Sequence, residues 1–155
     1  MPRIQTECFG EIEFLESSVF HFPLGLPGFE DERAFVFLDR PGTAPLLFMQ
    51  SLATPSLCFI LLPILAVDAA YELTLDEEQA ALLGLSELRP RIGEDVLCAA
   101  IVCAARQPDE VPTANLLAPV VVNFRQGVGM QAIQPGARYS HRHPLFGAEE
   151  AVPCS

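Results

Sequence analysis

The sequence predicts an all-β or β-rich single domain, on three observations. Short apolar stretches recur along the 155 residues, separated by turns that use the chain's 14 Pro and 10 Gly. From Arg3 to Leu15 apolar and polar residues alternate at period two, as in strands with one wet face. Only one segment carries both the start and the stop signals of a helix. Short strands with Pro and Gly punctuation and a lone helix belong to a β-rich architecture.

Taken in order, Arg3 to Leu15 reads as a hairpin. Ile4, Thr6 and Cys8 alternate with Arg3, Gln5 and Glu7, then Ile12 and Phe14 alternate with Glu11 and Glu13, and Gly10 supplies the turn. This places Glu7, Glu11, Glu13 and Glu16 on one exposed acidic face. Pro23 to Gly28 interrupts regular structure, since Pro fixes φ and Gly permits positive φ, and the loop carries Phe29 towards the core. Ala34–Leu38, Leu46–Met49 and Leu57–Leu62 are apolar at successive positions, as expected of strands buried on both faces.

Thr74-Leu75-Asp76-Glu77 has capping-box spacing, Asp76 to Glu78 suit the positive end of a helix, and Gly84 suits its close. The helix is therefore expected near residues 75–83, with Leu75, Gln79, Leu82 and Leu83 on its inner stripe. Ser86–Arg89 suits one further turn before Pro90. Val96–Ala105 reads as a long buried strand. Val120–Phe124 and Val128–Ile133 form a final hairpin around Gln126-Gly127. Residues 1–146 are expected to make one domain and 147–155 a short acidic mobile tail.

Half of the residues are hydrophobic, too many for a disordered chain. The apolar runs fall far short of the ~20 residues that span a bilayer. Residues 1–7 lack the apolar centre of an export signal, so the expected location is the cytoplasm. The five cysteines are an odd number and are mostly set in apolar stretches, so they read as reduced, buried thiols. A net charge of -11 without a single Lys argues against direct nucleic-acid binding and suits a basic protein partner.

No constellation resembles an active site. His141 and His143 supply two ligands where zinc needs three or four, and no thiol stands at zinc spacing. Cys98 and Cys103 fall on opposite faces of one strand. Ser51, His21 and Asp39 permit a triad on paper, yet no nucleophile elbow surrounds Ser51. Gly25 and Gly28 are too sparse for a phosphate cradle. No cofactor or metal is therefore expected, and a binding module fits better than an enzyme. Gln50, Ser51, Asn115 and Asn123 stand at ends of apolar runs, where a polar side chain caps the backbone or meets a partner.

Four segments carry a family resemblance. Phe20-His21-Phe22-Pro23-Leu24-Gly25-Leu26-Pro27-Gly28-Phe29-Glu30 is the first, and Met49-Gln50-Ser51-Leu52 with Pro55, Leu57 and Phe59 the second. The third runs from Thr113 to Asn123 through Asn115 and Pro119, and the fourth is Tyr139-Ser140 with Arg142-His143-Pro144-Leu145. In this order they resemble the bacterial flagellar assembly factor FliW. The resemblance implies a compact antiparallel β-barrel-like fold, monomeric when free. It also implies two alternative partners: newly made flagellin and the RNA-binding translational repressor CsrA. FliW released by flagellin export would then antagonise CsrA and relieve repression of flagellin synthesis. Phe29, Glu30, Gln50, Ser51, Asn115 and Asn123 are the expected partner-binding residues. Ala53-Thr54 stands where acidic residues are frequent in the family, so a polar contact is expected to be missing there. Two competing readings are an export chaperone for flagellin without regulation of CsrA, and a small-molecule enzyme or sensor using the barrel interior.

Overall fold

The computed structural model describes residues 2–145. A hairpin of β1 (Arg3–Thr6) and β2 (Gly10–Glu13) precedes β3 (Val19–His21), β4 (Ala34–Leu38), β5 (Leu47–Ser51) and β6 (Cys58–Pro63). Two helical segments follow, α1 (Ile64–Val67) and α2 (Glu77–Leu83). The chain ends on β7 (Leu97–Cys103), β8 (Thr113–Ala114), β9 (Val120–Asn123), β10 (Val128–Gln131) and β11 (His143–Pro144). The expected tail at 147–155 lies outside the described residues.

The β-rich reading holds, and the sheet closes. In the order β7-β6-β5-β4-β3-β10-β9 each strand pairs with the next, and β9 pairs back onto β7. Closure removes the exposed edges that an open sheet would present. β7 makes this possible by serving three neighbours in succession along its length. Leu97–Ala99 pairs with β9, Ala99–Ile101 with β6, and Val102–Cys103 with the short β8. Every barrel pairing is antiparallel except β3–β10, where Val128 lies opposite His21 and the His21 N–H donates to Gly127 O at 2.8 Å.

Two apolar cores result. The barrel interior holds Phe22, Leu26, Phe35, Met49, Leu61, Ala99, Val120 and Val122. A second layer lies outside β7, β9 and β10, where Cys98, Ala100, Val121 and Met130 meet Ile64, Tyr71, Leu73, Leu75, Ala80 and Leu83. Val120 and Val122 face inwards and Val121 outwards, so β9 is buried on both faces. That explains a strand with no polar alternation.

The helix forms where expected, with a different cap. Asp76, not Thr74, is the N-cap: its carboxylate accepts from Gln79 N at 2.7 Å, and Gln79 Oε1 accepts from Asp76 N at 2.9 Å. Leu75 is buried just ahead of the helix, and Ala80 and Leu83 form its buried face. Gly84 closes it at φ 72°. Ser86–Arg89 makes no helical turn; instead Leu88 O accepts from Leu75 N at 2.7 Å. α1, which follows Pro63, had no recognisable local signal because it is simply the end of an apolar run.

The expected hairpin forms, Ile4 opposite Ile12 and Arg3 opposite Glu13, but its turn is residues 7–9 and Gly10 opens β2 opposite Thr6. Its outer face is less purely acidic than expected, since Arg3 pairs with Glu13 at 2.7 Å and Glu11 at 3.5 Å. The expectation of buried thiols fails for Cys8 and Cys103, which are exposed; Cys58 is half-buried, and among the described residues only Cys98 is a fully buried thiol. Cys8 leaves the alternation because the turn starts at residue 7. Burial pushes the Cys98 thiol up to about 12.

Candidate partner-binding surface

The first two motifs, distant in sequence, meet at one rim of the barrel. Phe29 and Leu26 form a tight bridged loop, Phe29 N donating to Leu26 O at 2.7 Å and Leu26 N to Phe29 O at 3.2 Å. Gly25 is required here: its φ is +64°, and a Cβ would lie 2.5 Å from Glu30 O. The loop carries Leu26 into the core in place of the expected Phe29, leaving Leu24 59% and Phe29 41% exposed. Phe29 rests edge-on against Phe59 of β6, ring centroids 5.4 Å apart. Glu30 is exposed, and its carboxylate reaches Gly28 N at 3.4 Å.

Beneath this rim the polar side chains of the second motif turn inwards. Gln50 and Ser51 belong to β5 and are almost fully buried. Gln50 Nε2 donates to Ser51 O, Thr54 O and Pro55 O at 3.0–3.3 Å, shaping the β5–β6 turn. Gln50 Oε1 has no hydrogen-bond partner among the described residues. Ser51 Oγ donates to Glu32 Oε1 at 2.8 Å and accepts from Ala53 N and Thr54 N. Thr54 Oγ1 donates to Glu32 Oε2 at 3.1 Å, so a polar contact is made where one was expected to be missing. Glu32 is thus the link between the two motifs. The sequence offered only its place in the acidic run Glu30-Asp31-Glu32, which reads as solvated charge.

The third and fourth motifs meet elsewhere. Asn115 Oδ1 accepts from Ala118 N at 3.0 Å, a local cap that bends the chain into Pro119. β11 pairs with β8, placing His143 opposite Ala114, and Leu116 N donates to Ser140 O at 2.9 Å. Tyr139 stacks on Tyr71 at 4.1 Å, and the Tyr71 hydroxyl donates to Leu116 O. Burial first, then neighbouring Cys98, pushes the Tyr71 phenol well above its ordinary range. Asn123 Nδ2 donates to Leu83 O at 2.8 Å, tying β9 to the last turn of α2, and its Oδ1 accepts from Arg125 N.

Of the six expected contact residues, the structure therefore brings Phe29, Glu30, Gln50 and Ser51 to one rim. Asn115 and Asn123 lie apart from them. Phe29 and Glu30 present surface; Gln50, Ser51 and Asn123 are buried, so in this conformation each reaches a partner only through the loop it shapes. Leu24, not singled out in the sequence, is more exposed than Phe29.

The barrel interior is packed with apolar side chains. Surface clefts lie outside it. One of about 270 Å³ is lined by Ser86, Arg91, Asp95, Asn123, Arg125 and Gln126. In it the Arg91 backbone N–H and guanidinium hold the Asp95 carboxyl below its usual range. Another, of about 640 Å³, includes Cys103, Arg106, Glu110 and Arg142. Among the described residues no three His, Cys, Asp or Glu side chains converge as a metal site, and no helix is long and apolar enough to cross a membrane.

Comparison with known proteins agrees over nearly the whole chain. The family model described as FliW protein matches residues 3–145. A flagellar assembly factor FliW of Desulfitobacterium hafniense (strain DSM 10664 / DCB-2) is 38% identical over 149 residues, covering 96% of this chain and 94% of that protein. The FliW of Bacillus subtilis (strain 168) is 33% identical over 144 residues, covering 93% and 96%. A crystal structure of the flagellar assembly factor FliW superposes with a TM-score of 0.82 at 33% identity, covering 97% of this chain and all of that one. With its four motifs, its closed barrel and these matches, the chain belongs to the FliW family.

Proposed function

We propose that this protein is a non-enzymatic cytoplasmic regulator that binds flagellin and, when free of it, binds and antagonises CsrA. Flagellin synthesis is thereby coupled to filament assembly. Family membership supports the reading, and the observation that carries it is the rim at Leu24, Phe29 and Glu30. There two large apolar side chains stand out beside a carboxylate on a body of net charge -11. An apolar anchor beside an exposed carboxylate suits a partner that is basic and partly apolar. The antagonism acts in part at long range: a docked acidic body repels the RNA backbone from the repressor's basic surface. That contribution declines as salt shortens the Debye length below ~8 Å.

The test is calorimetric titration against CsrA of the same organism, alone and with flagellin present. Saturable binding that flagellin abolishes is the expected result. Binding of flagellin without CsrA would overturn the regulatory half and leave a flagellin chaperone. Phe29→Ala should weaken binding at the rim by roughly tenfold or more, the scale of a buried aromatic anchor. An unchanged affinity for both partners would move the interface off this rim.

A further inference from the structure

The first hairpin brings two cysteines together outside the barrel. Cys8 sits exposed in the β1–β2 turn, and half-buried Cys58 opens β6. The turn is clamped on both sides of Cys8. Glu7 N donates to Pro55 O at 3.1 Å, and the Phe9 ring meets Phe48 edge-on at 5.2 Å. Phe48 pairs with Ile60 and Gln50 with Cys58, so this clamp and Cys58 share the outer face of β5 and β6. The Cys58 thiol donates to Phe59 O at 3.9 Å, and burial first, then the neighbouring Cys8 thiol, pushes it up to about 11. Cys98, by contrast, is sealed in the second core, and Cys103 lies at the far end of β7.

We propose that Cys8 and Cys58 form a dithiol modification site that closes to an intramolecular disulfide on reaction with a small-molecule disulfide. Cys8, the accessible thiol, loses its proton and attacks one sulfur of the oxidant, giving a mixed disulfide and one free small thiol. Cys58 then gives up its proton and attacks the Cys8 sulfur, expelling the second small thiol. One S–S bond is broken and one is made; the two protein S–H protons end on the two released thiols. The staple fixes the hairpin over the outer face of β5 and β6 and restricts the unfolded chain between residues 8 and 58. Such a link should raise the melting midpoint by roughly 5–10 °C.

The experiment treats the reduced full-length protein with oxidised glutathione, traps remaining thiols with an alkylating agent, and maps tryptic peptides by mass spectrometry. Residues 4–33 and 34–91 fall in separate peptides, because Arg40 and Arg89 each precede Pro and resist cleavage. The expected product is these two peptides joined through Cys8 and Cys58, reversed by reductant, with the predicted rise in melting midpoint. Cys8→Ser and Cys58→Ser should each lose both the joined peptide and the rise, while Cys103→Ser keeps them. A lasting glutathione adduct on Cys8 with Cys58 still alkylatable would overturn the proposal, as would a joined peptide that leaves the midpoint unchanged.

Discussion

The two apolar cores are built on opposite plans. The barrel interior is filled by large side chains carried on the strands or just beyond their ends: Phe22, which follows β3, and Phe35 of β4 meet edge-on at 5.2 Å, with Phe20, Phe37 and Phe59 packed against their cluster. In the outer layer the strands contribute smaller residues such as Cys98 and Ala100, and the bulk comes from the connection between β6 and β7. A closed barrel must fill its own centre, whereas an outer face must keep its side chains short for a covering segment to approach. Gly129 shows how tight the interior is, since a Cβ there would lie 2.7 Å from the tip of Phe22. Both cores share β9, and Asn123 at its end holds α2 in place.

The contrast can be broken at either end. Phe22→Ala should cost most, about 3–5 kcal/mol, because a closed interior has nothing to collapse into the cavity. Urea unfolding with an unchanged slope would measure it. Leu83→Ala empties the outer layer, where the covering segment can partly settle, and should cost about 2–4 kcal/mol by the same assay. The double variant sharpens the point: additivity within ~0.5 kcal/mol would mean independent cores, and a larger departure would mean coupling through the strands that serve both, β7 and β9. Asn123→Ala removes the tie to Leu83 O and should cost about 1–3 kcal/mol, with hydrogen exchange rising first in α2. Asp76→Ala removes one cap of a short helix and should cost about 1 kcal/mol, read as a small drop in melting midpoint.

Much of the fold was legible because its signals are local. Alternation in Ile4 to Phe14, continuous apolarity in Val120 to Val122, and the Gly84 stop each reflect neighbours only a few residues apart. The Thr74 cap was misplaced because Thr74 and Asp76 both stand ahead of the helix, and packing of Leu75 decides between them. At the candidate rim, Phe29 and Glu30 were marked by the family resemblance, whereas the Pro and Gly setting alone pointed Phe29 towards the core. Gln50 and Ser51 stood out as polar residues ending an apolar run, but their direction could not be read. Glu32 was missed because its partners, Ser51 and Thr54, are about twenty residues away.

By itself the sequence determined a β-rich domain, the hairpins, the helix near 75–83, a net charge of -11 with Arg in place of any Lys, and the resemblance to FliW with the barrel-like fold it implies. These follow from periodicity, turn chemistry, charge and motif order, all carried along the chain. Only the tertiary structure decided which strands close the expected barrel, that the described residues pack into two cores, that two motif pairs meet in separate places, and that Cys8 lies beside Cys58. Each of those depends on which distant segments pack together. Such contacts are selected by the burial and hydrogen bonding of the whole fold, and no short stretch of sequence specifies them.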